Sequence, residues 1–511
     1  MHHLNYGLLP EADGISDARG FGSGALMYQY ALGAGETAVF DVAVPYSNAS
    51  EVAPLDRALA AVTMDWRTRL DAVGFDIPAA PDLVRAIKSQ VAYILINRDG
   101  DAIQPGSRCY RRTWIRDGSL TSAALLQQGF DQEVRDFIQW FAPYQYESGK
   151  VPCCADKRGS DPVPEHDSHG EFIYLVAEYY RFTRDIDFLR SLFWRVLKAV
   201  DYIQYLRRET ETPEFADGGP KAHLRGILPP SISHEGYSAH PAYSNWDNLF
   251  ALKGLQDAHY CAVALGEHQE AERLAEIVTS FRMALVRSIS MSMALHGLDV
   301  IPGANDLGDV DPTSTTIGLD PADILYLLPG PMQRTFDLYM RNFRKRRDEP
   351  GAFVGDDCYT PYEWRTVGSF VRLGQIDRAH EVLEYFMQHR RPLGWNHWGE
   401  VIYADPKTPK FIGDAPHGWV GSDFLRSVRN LFVFENRGTL IVGRGLTSSW
   451  LDAGVSIENL PTHDGRLTFK ARRLADGTVE YLLDGFVSAP IDLWVGDRFV
   501  EITTLPARVV A

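Results

Sequence analysis

The chain has 511 residues, of which 45% are hydrophobic, 23% charged and 12% aromatic, the balance of an ordinary globular protein long enough to bury two or three cores. Its formal net charge of -16 argues against nucleic acid and anionic membranes as partners, because both require clustered Lys and Arg, and its apolar runs are too short to span a bilayer. Five cysteines, Cys109, Cys153, Cys154, Cys261 and Cys358, form no C-x-x-C pair and show no zinc-ligand spacing, so neither structural zinc nor a complete disulfide framework is expected.

In chain order, MHHLNYGLLP lacks the basic start and apolar stretch of an export signal, and no compartment is assigned. Residues 25–46, ALMYQYALGAGETAVFDVAVPY, alternate as two strands around a Gly-containing turn. Two strands alone are marginal in water, so they are expected to dock on the rest of the chain or on N-terminal sequence absent here. From 84 to 432 apolar residues recur at three- and four-residue steps. This pattern predicts twelve helices, at about 84–97, 118–129, 131–145, 169–183, 186–208, 244–265, 267–290, 318–328, 332–346, 359–374, 376–390 and 418–432. The tight turns QQGFDQ, RFTRDID, ALGEHQ and RLGQID make several successive helices antiparallel neighbours. Beyond residue 436, GTLIVGRG, RLTFKARRL, GTVEYLLDGF and IDLWVG alternate as strands. The expected fold is mainly α: a strand-containing N-terminal region and linker over 1–75, a toroid of twelve helices over 76–435, and a small β-sandwich over 436–511.

Five segments rich in aromatic and carboxylate residues lead into alternate helices: CYRRTWIRDGS, VPEHDSHGE, GYSAHPAYSNWDN, VGDDCYTPYEW and WNHWGEVIYADPKTPKFIGDAPHGWVGSD. If helices alternate between an inner and an outer ring, these segments emerge at one rim and converge there.

With these residues the chain resembles the six-hairpin glycosidase superfamily, the (α/α)6 barrels that include glucoamylases, trehalases and α-L-rhamnosidases. TWIRDGSL is similar to the glucoamylase-type motif in which an Arg–Asp pair binds hydroxyls of the terminal sugar, which gives Arg116 and Asp117, with Trp114 beside them, a sugar-holding role. The resemblance covers residues 84–432 in hairpin order. It implies an exo-acting, inverting glycoside hydrolase that needs no cofactor and takes a carbohydrate substrate.

Inversion needs a protonated carboxyl at the glycosidic oxygen and a carboxylate that activates water on the opposite face. On VPEHDSHGE the resemblance favours Asp167 as the acid, then Glu165, then Glu171. The local alternatives are that Asp167 is the N-cap and that Glu171 completes a capping box with Ser168. On GWNHWGEV the base is expected at Glu400, desolvated by Trp395, Trp398 and Tyr403 and near His397. Trp246 with Asp247, the run Tyr362, Glu363 and Trp364, and His417 with Trp419 are further candidate sugar contacts, against capping or core packing for each. NDLGDVD, residues 305–311, lacks the EF-hand ligand order and reads as a polar loop, so no metal is expected. A glycoside phosphorylase on the same fold, or a carbohydrate-binding protein without catalysis, are the competing readings. The sugar, its linkage and the oligomeric state are not fixed by these residues.

Overall fold

A computed structural model describes residues 28–42, 53–349, 358–392, 394–403 and 413–511, with a few positions among 14–19. Its contacts divide the chain into two units, residues 1–67 and 68–511. In the first unit the chain turns at Ala34–Gly35, where Gly35 takes a φ of +83°, and the Phe40 ring meets Tyr28 at 4.9 Å and Tyr30 at 4.8 Å. The alternating pattern of residues 28–42 thus brings aromatic rings together across a turn, but no strand forms among these described residues. With no third strand to share its hydrogen bonds, the pair gains little from a ladder. The rest of the expected strand pair lies outside the described residues. A helix absent from the expected set, α1 (Leu55–Leu70), follows and buries none of its side chains.

Residues 68–511 are mainly helical, with strand sheets at the C-terminal end. The helices are α2 (Pro81–Ile96), α3 (Ile115–Leu126), α4 (Asp131–Phe141), α5 (Ser168–Thr183), α6 (Ile186–Arg207), α7 (Asn245–Leu265) and α8 (His268–His296). There follow α9 (Pro312–Thr315), α10 (Pro329–Asp348), α11 (Trp364–Arg372), α12 (Ile376–Gln388) and α13 (Gly418–Phe432). One expected helix, 318–328, is missing. Pro321 cannot donate to a helical ladder there, and the helical turn lies earlier, where the Asp311 carboxylate accepts the Thr313 and Ser314 N–H groups at 3.0 and 3.2 Å and starts α9.

Two kinds of helix alternate. All residues of α3 and α13 are buried, as are the first three turns of α5, whereas α4, α6, α8, α10 and α12 bury a single stripe. α3 packs on α5 and α13, α5 on α7, and α11 on α13. The α5–α7 contact depends on glycine: a Cβ on Gly170 would lie 2.0 Å from the Phe250 carbonyl oxygen, and one on Gly254 2.6 Å from the Gly170 Cα. Ser244 caps α7 through the Trp246 N–H at 3.1 Å, and Gly266 ends it at a φ of +73°.

The strands outside the loops are β1 (Gly74–Asp76), β7 (Val433–Asn436), β8 (Thr439–Val442), β9 (Val455–Thr462), β10 (Gly465–Arg473), β11 (Val479–Val487), β12 (Ile491–Val495), β13 (Arg498–Ile502) and β14 (Ala507–Val510). They form a five-stranded sheet, β1-β9-β10-β11-β14, and a four-stranded sheet, β13-β12-β8-β7. β1, which the sequence reading placed in the N-terminal region, is hydrogen-bonded into the C-terminal sheet with Phe75 opposite Ile457. Two small ladders fasten the loops in front of the helices. β2 (Thr113–Trp114) pairs with β3 (Cys154–Asp156), which pairs with β4 (Gly159–Ser160), and β5 (Cys358–Tyr359) pairs with β6 (Ile402–Tyr403). Among the described residues no helix is long and apolar enough to cross a membrane.

Candidate active site

The segments that precede α3, α7, α9, α11 and α13 line one cavity of about 290 Å³. Its wall carries three carboxyl groups, Asp117, Glu235 and Glu400, each from a different segment. Around them stand Tyr110, Trp114, Trp246, Tyr362 and Trp419, the guanidinium groups of Arg116 and Arg365, and the imidazoles of His234 and His417.

Glu400 is gripped at both oxygens. Tyr110 donates its hydroxyl to Oε2 and Tyr362 donates to Oε1 at 3.2 Å, while the Thr360 hydroxyl holds the backbone oxygen at 3.0 Å. Burial lifts its carboxyl above the ordinary value, and the two phenols partly oppose this. Asp414, fully buried, accepts the backbone N–H groups of Arg108, Cys109 and Tyr110 at 2.8, 3.0 and 3.1 Å and so fixes the loop that carries Tyr110. A Cβ on Gly413, whose φ is +68°, would fall 2.7 Å from the Glu400 Oε2, so the close approach requires glycine.

Arg116 organises the floor. Its Nη1 donates to Glu165 at 2.6 Å and to Asp167 at 3.3 Å, its Nη2 lies 3.8 Å from Glu235, and its guanidinium sits 5.4 Å over the Trp419 ring. Asp117 is only 4% exposed, yet no protein donor reaches its carboxyl among the described residues, and its free edge meets the cavity. Burial pushes it well above the usual carboxylate range; Arg116 pulls it down, and Glu400 and Glu235 push it further up. Asp117 is therefore a neutral acid in the empty site, able both to donate to and to accept from a hydroxyl.

The three acids expected on VPEHDSHGE stand behind Arg116 and are not part of the cavity wall. Asp167 makes no capping bond to α5; its Oδ2 takes the Trp246 indole N–H at 2.8 Å as well as Arg116. Glu171 forms no capping box, is wholly buried, and is held protonated by burial and by the neighbouring Asp167 carboxylate. Burial, opposed by Arg116, raises Glu165 to about 7. A carboxyl raised on folding contributes stability that is complete below its unfolded value and is lost as pH rises through the folded one. Glu165→Gln is accordingly expected to flatten the fall in melting temperature between pH 5 and pH 8, read by calorimetry on both chains. An unchanged pH slope would remove this assignment.

The remaining candidates divide. Trp114, Trp246, Tyr362, His417 and Trp419 line the cavity, with Tyr362 and Trp419 rings 4.2 Å apart and burial lowering His417 to about 3, so that it is neutral. Asp247 turns away to the Ser231 hydroxyl at 2.5 Å. Glu363 is consumed by Tyr339 and Arg346, each at 2.6 Å. Trp364 and Trp398 are core residues, edge to face at 5.0 Å, and the Trp398 N–H is spent on the Phe386 carbonyl at 2.9 Å. His397 packs against Tyr93 at 5.3 Å outside the wall, and Trp395 is 61% exposed. Glu400 is thus desolvated by tyrosines rather than by those tryptophans; the Tyr403 side chain lies outside the described residues. In NDLGDVD, Asp309 accepts the Tyr237 hydroxyl at 2.8 Å, Asp306 the Tyr243 N–H at 3.0 Å, and Asp311 caps α9, so each carboxylate serves a protein donor.

Two wall residues escaped the sequence reading. Glu235, 52% exposed, sits at a left-handed φ of +67° in the loop closed by the Ser231–Ala242 bridge. The adjacent His234 anchors this loop through the Ser314 hydroxyl at 2.5 Å and lies edge-on to Trp246 at 5.1 Å. Glu235 precedes the GYSAHPAYSNWDN cluster by one residue, and its His-Glu-Gly setting was the available signal. Arg365 lies 5.3 Å from the Trp246 ring and 5.4 Å from Trp419, with its charge met by Asp423 at 2.5 Å.

No family model matches the sequence, and no curated protein matches it. Solved structures do. The GH78 family rhamnosidase of Bacillus sp. GL1 superposes with a TM-score of 0.57 at 12% identity, over 84% of this chain and 43% of that one. The α-L-rhamnosidase of Dictyoglumus thermophilum gives 0.56 at 12% over 86% and 49%. The Streptomyces avermitilis α-L-rhamnosidase complexed with L-rhamnose gives 0.56 at 14% over 86% and 42%. The chain spans about half the length of the structures it matches. The likeness is one of fold: this chain carries the six-hairpin glycosidase fold found in the α-L-rhamnosidases.

Proposed function

We propose that the chain is an exo-acting glycoside hydrolase that inverts the anomeric centre, with Glu400 as general base and Glu235 as general acid. The observation that carries this reading is the presence of Glu400 and Glu235, from separate segments, on one cavity whose floor is the Arg116–Asp117 pair. In this reading α3, α5, α7, the α9 turn, α11 and α13 form the inner ring of an (α/α)6 toroid, α2, α4, α6, α8, α10 and α12 form the outer ring, and the two C-terminal sheets form a small β-sandwich. The catalytic region then corresponds to about residues 76–435.

Depth assigns the roles. Asp117, deep and without a protein partner, together with Arg116, meets hydroxyls of the terminal sugar, which stacks on the aromatic wall of Trp114 and Trp419. Glu235, half exposed at the mouth, adjoins the leaving group. When sugar displaces water, the carboxyls share a low-dielectric space in which they cannot all ionise, and this keeps a proton on Glu235. Glu400 then takes a proton from water, the water oxygen bonds to the anomeric carbon, that carbon's bond to the glycosidic oxygen breaks, and Glu235 protonates the departing oxygen. Asp167 and Glu165 act through Arg116. A phosphorylase would need free cationic donors at the anomeric carbon, whereas Arg116 and Arg365 are each met by carboxylates.

The test is a panel of aryl glycosides that starts with α-L-rhamnosides, followed by proton NMR of the first-formed sugar. The expected result is release of a sugar whose anomeric configuration is opposite to that of the substrate. A first product of retained configuration removes the inverting mechanism. Turnover only with added phosphate makes the chain a phosphorylase, and sugar binding with no turnover across the panel makes it a binding protein.

A further inference from the structure

We infer that Cys153, Cys154 and Asp161 form a binding site for one thiophilic divalent cation of the zinc class, beside the sugar-holding motif and separate from the reaction. Neighbouring residues on a regular strand point to opposite faces. Here the chain bends at Cys153, immediately before β3, and the two sulfurs converge to 3.3 Å. The Asp161 N–H donates to the Cys154 carbonyl at 2.9 Å across the turn between β3 and β4, which brings the Asp161 carboxylate to the same point. One ligand atom from each of the three residues lies within 4.8 Å of the others. Tetrahedral zinc bonded to sulfur at about 2.3 Å and to carboxylate oxygen at about 2.0 Å accommodates such a trio with small side-chain movements, and leaves a fourth position for water.

Charge and burial favour occupation. Both cysteines are 2% exposed, and without an ion the Cys154 thiol, and then burial, keep the Cys153 thiol protonated. Binding releases two protons, leaving two thiolates and one carboxylate around the dication. The Arg112 guanidinium, 2.9 Å from Asp161, supplies the remaining positive charge, so the assembled group is neutral, and it also orients the carboxylate ligand. The sequence spacing gave no hint, since adjacent cysteines followed by an aspartate are not a familiar ligand pattern. The structural consequence falls on the neighbouring site: Cys154 pairs with Trp114 in the β2–β3 ladder, and the Cys153 carbonyl accepts the Ile115 N–H at 2.9 Å, at the start of α3. A bound ion would fasten the strand from which Arg116 and Asp117 project.

The experiment titrates the full chain, reduced and free of chelator, with Cd2+ and records the thiolate-to-cadmium charge-transfer band, with Zn2+ as competitor. The expected result is one equivalent per chain, loss of the band in Cys153→Ser/Cys154→Ser, retention in Cys109→Ser, and roughly 10- to 100-fold weaker binding in Asp161→Asn. An absent band, or a band that survives in the double variant, overturns the site. X-ray absorption of the wild-type zinc complex decides independently of any variant: a shell with two sulfurs supports the trio, and a shell of only nitrogen and oxygen rejects it.

Discussion

Glu400→Gln lowers kcat by about 10³-fold on every substrate while KM stays within a few-fold, because general-base assistance contributes roughly 10²- to 10⁴-fold and the amide cannot take a proton from water. Glutamine keeps the shape that Tyr110 and Tyr362 grip at the two oxygens, so the change removes basicity and leaves the cavity in place. A small anion that needs no deprotonation bypasses the loss: azide restores turnover in the variant and yields a glycosyl azide of inverted configuration. Wild-type kcat in Glu400→Gln, or azide that gives no rescue and no azide product, removes Glu400 from the role of base.

The second large effect belongs to Glu235. In Glu235→Gln, kcat/KM falls by about 10²- to 10⁴-fold on glycosides with poor leaving groups and by far less on dinitrophenyl glycosides, whose leaving oxygen departs without a proton. The contrast with Asp167→Asn and Glu165→Gln is part of the prediction. Those side chains contact Arg116, and through it the sugar, so their loss lowers kcat/KM by a similar factor whatever the leaving group. If the leaving-group dependence follows Asp167 and not Glu235, the acid lies behind Arg116 and the assignment at the cavity mouth is wrong. The pH profile supplies a third reading, since Glu400 carries a raised carboxyl whose deprotonation sets the acid limb of kcat/KM above the ordinary glutamate range.

Both predictions rest on loops, and loops separated what could be read from the sequence and what could not. Helix periodicity was legible because an outer helix shows water a polar face and the core an apolar one: α12 buries Ala379, His380, Val382, Leu383 and Phe386 at three- and four-residue steps. The region at 318–328 misled the same reasoning, since its apolar spacing persists through Pro321, a residue that cannot continue a helix. TWIRDGSL was legible as a site because burying Arg and Asp at a helix start needs a reason beyond packing. The rank order of carboxyls was not legible. Asp167, Glu165 and Glu235 have the same chemistry, and only the fold sets the first two behind a guanidinium and the third in the wall.

By itself the sequence determined the helical class, the hairpin order, the C-terminal strands and the convergence of polar segments at the starts of alternate helices, because these follow from local periodicity, turn chemistry and composition. Tertiary structure alone decided which side chains meet. It placed Trp364 and Trp398 in the core, joined Glu363 to Arg346, left Asp117 without a protein partner, and set Glu235 on the same cavity as Glu400. The physical reason is range: periodicity is written within a few residues, whereas the hydrogen bonds that hold Glu400 and Asp167 link groups 290 and 79 residues apart.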